Sequence, residues 1–317
     1  MNRLLNNNEL KVKWFCEACF EFLKEGTNFI LGRNISIPVL IFINTPSPID
    51  INFTAIADKF SMVKWGIDGI CDGLYVSYYF NGDIIIITDA ERGITAAKIS
   101  HIFCKRNRSL FLTSLIRNHI IRHYIHVGLM IYHASAIVEK NTNNAILILG
   151  KSGTGKTTFA LEAVKSGNYS LLSEDKVILN PLNNNLFGSE VVHLKETGLI
   201  RYGNYVKNLS LINGGTTEKK YQGQIHSKYH VHSGILKEVI ILNQDNSSSV
   251  SFFHMLSDAD KIKRIFDISQ KNVYITNEMQ AYINAYYKLL CFPIFELYHN
   301  TFDINYYVFE RSKMDIS

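Results

Sequence analysis

The chain has 317 residues, 47% of them hydrophobic and 19% charged, with a net charge of +5. That balance excludes a disordered chain and leaves room for two domains, or for one large domain with an appended module. The Lys and Arg residues are scattered rather than clustered, so a nucleic-acid partner is not expected, whereas an anionic ligand fits.

No apolar run approaches the roughly 18 residues of a membrane span, and Met1 to Asn8 lack the apolar core of a signal peptide. Five cysteines, at 16, 19, 71, 104 and 291, form no disulfide framework and suit a reducing cytoplasm. Cys16 and Cys19 fall on an expected amphipathic helix over residues 9 to 25, with Trp14, Phe15, Ala18, Phe22 and Leu23 on the same face. Buried helical cysteines are the reading there, and a redox or zinc pair the alternative.

Short β-rich runs follow at Ile37 to Ile43, Gly73 to Phe80 and Asp83 to Ile87, the last two joined by a hairpin signal at Asn81-Gly82. Such a hairpin can offer an edge strand to an extended peptide. Residues 94 to 130 read as mostly helical, with Arg117, His119, Arg122, His123 and His126 on one polar face. Strands are expected at 131 to 138 and 144 to 149, a helix at 156 to 166, and strands at 169 to 173 and 176 to 179. Residues 203 to 234 read as a long polar loop: a lid, a substrate loop or a disordered segment. Within it Lys219 and Lys220 can serve as a cationic lid or simply be solvated. His226, His230 and His232 have near-metal spacing but no neighbouring acidic or cysteine ligand. A strand pair at 236 to 242 and 250 to 254 and helices at 257 to 267 and 277 to 290 complete the chain. The expected division is an α+β module over 1 to 125 and an α/β domain over 126 to 317.

The most informative segment is Gly150-Lys151-Ser152-Gly153-Thr154-Gly155-Lys156-Thr157-Thr158, which fits the phosphate-loop pattern G-x-x-x-x-G-K-[ST] between an apolar strand and a helix. Its glycines let main-chain N–H groups crowd around a polyphosphate. The helix start adds its partial positive charge. Lys156 is expected to reach the β- and γ-phosphates, and the Thr157 hydroxyl to hold Mg2+. Seventeen residues after Lys156, Glu174 and Asp175 end an apolar strand. Such an acid pair can divide the work of completing a Mg2+ shell and accepting a proton.

His133-Ala134-Ser135-Ala136-Ile137, the phosphate loop, and Leu171-Leu172-Ser173-Glu174-Asp175-Lys176-Val177 together resemble the HPr kinase/phosphorylase family. More closely, they resemble its related peptide serine kinases from lasso-peptide and similar peptide-modification clusters. Leu236 to Leu242, Ser251-Phe252-Phe253 and Pro293 to Leu297 are similar to its later strands, so the likeness covers about 125 to 310. The resemblance implies an α/β P-loop kinase domain of the HPr-kinase type, a mixed sheet with flanking helices, preceded by the smaller α+β module. It implies that Lys156 clamps the transferring phosphate and that Thr157 and Asp175 hold Mg2+. It further implies that Glu174, where the family usually has aspartate, is the base, and that His133 lines the site. The family's Glu-Val-Arg-Gly signature is echoed only loosely by Lys195-Glu196-Thr197-Gly198 and Arg201, so its phosphorylase activity and hexamer are not expected, although a homo-oligomer stays open.

The expected activity is transfer of the γ-phosphate of ATP, or another nucleoside triphosphate, to a serine or threonine hydroxyl of a protein or precursor peptide. The module over 1 to 125 would recognise that acceptor or its leader. Two alternatives remain at this point: a nucleotide-binding sensor with slow ATPase activity and no acceptor, and a kinase of a small metabolite.

Overall fold

Ile84-Ile85-Ile86-Ile87 is apolar at every position, so a strand there must be covered on both faces. The computed structural model, which describes residues 10–14, 39–44, 52–60, 66–71, 73–104, 109–212, 219–244, 252–269 and 276–299, shows that arrangement. The chain is mixed α/β and divides into two units, Met1–Leu129 and Met130–Ser317.

In the first unit, strands β1 (Leu10–Trp14), β2 (Val39–Ile43), β3 (Gly66–Cys71), β4 (Leu74–Tyr79), β5 (Ile84–Asp89) and β6 (Ile94–Ile99) form one sheet in the order β1-β2-β6-β5-β4-β3. β1, β2 and β6 run parallel, and the remaining pairings are antiparallel. Val76, Tyr78, Ile85 and Ile87 face α1 (Phe53–Phe60), where Phe53 packs against them. The alternate residues of β4, β5 and β6 include Ser77, Thr88 and Thr95, and these meet α2 (Ser109–His126). His119 bridges Ser77 Oγ at 2.8 Å and Thr88 Oγ1 at 2.9 Å through its two ring nitrogens. Thr88 and Thr95 hydroxyls lie 2.8 Å apart, and Thr95 meets His123 Nε2 at 2.9 Å. The chain of hydrogen bonds ends at Asp68, which accepts from the Ser77 and Tyr79 hydroxyls.

Several expectations change here. Leu10–Trp14 is a strand rather than the start of a helix, because pairing with Val39–Ile43 outweighs its helical periodicity; residues 15 to 25, with Cys16 and Cys19, lie outside the described residues. Ile94–Ile99 is likewise a strand between β2 and β5, and the helix begins only at Ser109. His119 and His123 are buried on that helix, so this part of its polar face meets the sheet hydroxyls. The β4–β5 hairpin forms through Phe80, Asn81 and Gly82, all left-handed (φ 52°, 54° and 87°). It lies inside the sheet between β3 and β6, so it presents no edge strand.

The second unit contains β7 (Met130–His133), β8 (Ser135–Glu139), β9 (Asn144–Gly150), α3 (Lys156–Lys165), β10 (Tyr169–Ser173), β11 (Lys176–Asn180) and β12 (Asn185–Phe187). After these come β13 (Val191–Lys195), α4 (Glu196–Tyr202), β14 (Val206–Ile212), β15 (Lys220–Ile225), β16 (Ser233–Gln244), β17 (Phe252–Met255), α5 (Asp258–Ser269), α6 (Thr276–Leu289) and β18 (Ile294–His299). The main sheet runs β10-β8-β9-β16-β12-β11-β7, with β18 on β16 and β17 on β18. β9, β16 and β18 are parallel. Ile146, Ile148, Ile240 and Leu242 pack with Phe159, Leu161 and Val164 of α3. Leu147, Leu149, Val239 and Ile241 belong to the opposite cluster, with Ile265 of α5 and Tyr286 of α6.

The expected pairing of the two strands near 240 and 252 is corrected: β18 lies between them, parallel to β16 and antiparallel to β17. The long polar loop over 203 to 234 is corrected too. β14 and β15 join β13 in a three-stranded antiparallel sheet, and Lys220, read as part of a cationic lid or a solvated loop, is a strand residue that pairs with Lys195. Gln, Lys and Ser on a half-exposed sheet hid these strands from apolar periodicity. Among the described residues, no helix is long and apolar enough to cross a membrane.

Burial, with the nearby Arg122 and His123 charges, holds the His119 imidazole well below its ordinary range. Burial and His126 push His123 down to about 4. A depressed folded value gives stability that is complete above the unfolded value, ~6.5, and is lost as pH falls through the folded one. The first unit should therefore weaken between pH ~6.5 and about 4, by on the order of 3 kcal/mol from His123. Both tryptophans, Trp14 and Trp65, belong to this unit, so urea unfolding followed by their fluorescence reads it. The midpoint should fall across that window, and His123→Asn should flatten the fall; a midpoint independent of pH would contradict the buried neutral histidines.

Candidate active site

β9 is buried on both faces and ends at Gly150, opposite Leu242 of β16. There the chain leaves the sheet through a backbone angle open to glycine (φ 151°). A Cβ on Gly150 would lie 2.6 Å from Thr154 Oγ1 and 2.8 Å from the Leu242 carbonyl oxygen. The turn is closed by Thr154, whose hydroxyl donates to the Lys151 carbonyl at 2.8 Å. α3 then starts at Lys156 from Gly155 (φ 87°). A helix start leaves its first N–H groups without intrahelical partners and carries partial positive charge. Lys151, Ser152 and Gly153 are exposed, while Thr154, Thr157 and Thr158 are half-buried.

Lys156 is 8% exposed, and its ammonium donates to the carbonyls of Gly150 at 2.9 Å and Lys151 at 3.1 Å. Burial pulls its pKa below the ordinary value, against the opposing charges of Glu174 and Asp175. The side chain is thus a cation folded over the loop it serves.

The two acids come from a bent ribbon in which residues 130–139 run antiparallel to 169–180, β7 pairing with β11 and β8 with β10. Ala134 N–H donates to the Asp175 carbonyl at 3.1 Å, and Ser135 Oγ to the Glu174 carbonyl at 2.7 Å. Glu174 and Asp175 form the bend between β10 and β11, and these two carboxylates find different partners. Glu174 accepts from the Thr157 hydroxyl, from the His193 N–H at 3.2 Å, and meets His193 Nδ1 at 3.0 Å. Asp175 meets His133 Nδ1 at 3.0 Å, in a more open position, with His133 48% and Asp175 32% exposed at the side chain. Burial pushes the Asp175 carboxyl up. The His133 hydrogen bond and the charges of His133, His193 and Lys176 outweigh it and hold Asp175 well below the carboxylate range.

The structure therefore brings Lys156, Thr157 and Glu174 together, and sets His133 with Asp175 beside them. The hydroxyl of Thr157 meets Glu174, not Asp175. His193 had no signal in the sequence: it lies nineteen residues beyond Glu174 in β13 and is placed by strand pairing opposite Gln222. Arg201, one of the loose signature echoes, meets buried Glu162 of α3 at 2.6 Å, and the neighbouring Tyr202 hydroxyl donates to the same carboxylate at 2.7 Å. The ring centroids of His230 and His232 lie 4.8 Å apart, and His230 Nε2 lies 3.2 Å from the Leu172 carbonyl oxygen. No cluster of three His, Cys, Asp or Glu able to hold a metal occurs among the described residues.

No protein-family model and no curated protein matches the chain. Among solved structures, the chain is similar to the Hpr(Ser) kinase/phosphatase from Coxiella burnetii. That likeness has 13% identity and a TM-score of 0.29, and covers 59% of this chain and 99% of that one. It is a weak, fold-level likeness.

The glycines of the loop make separable predictions. Gly150→Ala should cost about 2–4 kcal/mol, from steric overlap and a strained φ together. Gly153→Ala has no neighbour within 4 Å of the added methyl and should cost about 1 kcal/mol, from its left-handed φ alone. Denaturant unfolding of both variants checks this; equal costs would mean that the packing of Gly150 against Leu242 is unimportant.

Proposed function

We propose that the chain is a metal-dependent phosphotransferase that moves the γ-phosphate of ATP to a serine or threonine hydroxyl of a protein or peptide. The observation that carries this reading is the contact between the Thr157 hydroxyl and the Glu174 carboxylate at the start of the helix that follows the glycine loop. A hydroxyl and a carboxylate held together supply oxygen donors of the kind a hard divalent cation takes, so the residues present fit Mg2+. When bound, Mg2+ would neutralise charge on the phosphates. The sequence motifs shared with HPr-kinase-type enzymes support the same chemistry.

In this reading Lys156 turns from the loop carbonyls to the transferring phosphate, and the N–H groups of Gly153 to Thr158 line the polyphosphate. The acceptor oxygen attacks the γ-phosphorus, the bond to the β–γ bridging oxygen breaks, and ADP leaves with that oxygen. The acceptor's proton passes to the exposed imidazole of His133, which Asp175 orients through Nδ1 at 3.0 Å. Glu174, tied down by Thr157 and His193, then serves the cation. This reverses the division of labour that the resemblance implied, and it is the arrangement the contacts favour.

Incubating the protein with ATP, Mg2+ and serine-containing peptides should add the mass of one phosphate per acceptor. Asp175→Asn should lower kcat by at least about a hundredfold with little change in the KM for ATP. Thr157→Val and Glu174→Gln should instead raise the Mg2+ concentration needed for half-maximal rate. The reverse pattern would restore Glu174 as the base. ATP hydrolysis with no acceptor modified would favour a nucleotide-binding sensor.

A further inference from the structure

The sheet of β13, β15 and β14 has one face in the core, where Val192, Leu194, Val206 and Ile225 pack with α3. Strand register assigns the other face. It carries His193 and Lys195 of β13, Lys220, Gln222 and Gln224 of β15, and Lys207 and Ser210 of β14. Among the described residues of these three strands there is no Asp or Glu at all. Lys195 and Lys220 stand directly opposite each other in the ladder, and like charges so placed repel. Lys207 is opposite Gln224, four residues along β15 from Lys220, a separation of about 13 Å at ~3.3 Å per residue. The amides between these cations are partly arranged already, since Asn208 Nδ2 donates to Gln224 Oε1 at 3.0 Å. The same face reaches the candidate active site through His193, which meets Glu174.

We propose that this face docks an extended acidic segment of the polypeptide acceptor, with carboxylates spaced to meet Lys220 and Lys207, which leads its hydroxyl toward the site. The inference rests on the kinase reading for the word acceptor, but not for the docking itself. The spacing of Lys220 and Lys207 favours an extended segment over a single small anion, and the strands themselves contribute cations and amides but no carboxylates to this face. The acceptor would then be held by the unit that carries the phosphate loop, whatever the Met1–Leu129 unit adds.

The test is fluorescence anisotropy of a labelled Glu/Ser peptide on the full chain, without ATP or Mg2+, against a peptide with Gln in place of Glu. The Glu peptide should bind at least about tenfold more tightly at low salt, with the difference shrinking as salt rises. The double variant Lys207→Glu/Lys220→Glu should remove that preference, and Lys207→Gln/Lys220→Gln should weaken it, with unchanged far-ultraviolet circular dichroism showing that both fold. Equal affinity for the two peptides, or a preference that survives charge reversal, would overturn the proposal. So would displacement of the peptide by ATP, which would assign the lysines to nucleotide phosphates, or equal binding of an RNA oligomer lost in the same variant, which would make the face a general polyanion surface. If the Glu peptide binds but is never phosphorylated when ATP and Mg2+ are added, docking stands and the transfer reading fails. If Glu and Gln peptides are phosphorylated with the same KM, transfer stands and docking fails.

Discussion

The Glu174 carboxylate is only 8% exposed, and an ionised group so placed is tolerated only when its oxygens are occupied by donors. Its donors come from different elements. Thr157 belongs to the first turn of α3, and His193 to β13 of the second sheet. Its own main chain is held by Ser135 of β8. One carboxylate thus ties the helix after the glycine loop, the bent ribbon and the small sheet into a fixed arrangement. Removing any one donor would leave charge in a poorly solvated place, so the three elements are constrained together rather than pair by pair.

A second constraint comes from burial. β9 can be apolar from Ala145 to Leu149 only because α3 covers one face and α5 with α6 the other. Parallel β16 on one side and antiparallel β8 on the other then leave Gly150 at the carboxyl end of a central strand, where ligands of α/β sheets gather. The buried Glu162, held by Arg201 and Tyr202, adds a further tie between α3 and α4, next to the three-stranded sheet. Loop, helix and small sheet are therefore positioned by polar contacts at their margins and by apolar packing beneath.

Much of the candidate site was legible in the sequence because it is local. Gly150 to Thr158 carry their own geometry, and the acids at 174 and 175 follow one helix and one strand later. The parts that were not legible depend on pairing between distant segments. His193 reaches Glu174 only because β13 is built onto β15, whose Lys-Tyr-Gln-Gly-Gln-Ile run carries a single aliphatic residue, so its two-residue alternation is too faint to announce a strand. Leu10–Trp14 carries a helical pattern that a parallel neighbour overrides. His119 and His123 look only like a polar face until Ser77, Thr88 and Thr95, three hydroxyls on one side of a sheet, give them partners inside. In each case the missing information is a partner strand, not a property of the segment itself.

A glutamate at 174 beside an aspartate at 175 acquires a physical reason from these contacts. From a ribbon whose main chain is fixed by Ser135, the carboxylate must reach both the Thr157 hydroxyl and His193 Nδ1, the latter at 3.0 Å. One methylene fewer would withdraw it by about 1.5 Å and stretch the contacts behind it beyond hydrogen-bonding range. Asp175 is under no such demand, because His133 lies across the same ribbon, one register position away. The longer acid is therefore the one that spans elements and is immobilised, and the shorter acid is the one left open beside an imidazole. The difference in side-chain length between the two neighbours is thus enough to give them different partners.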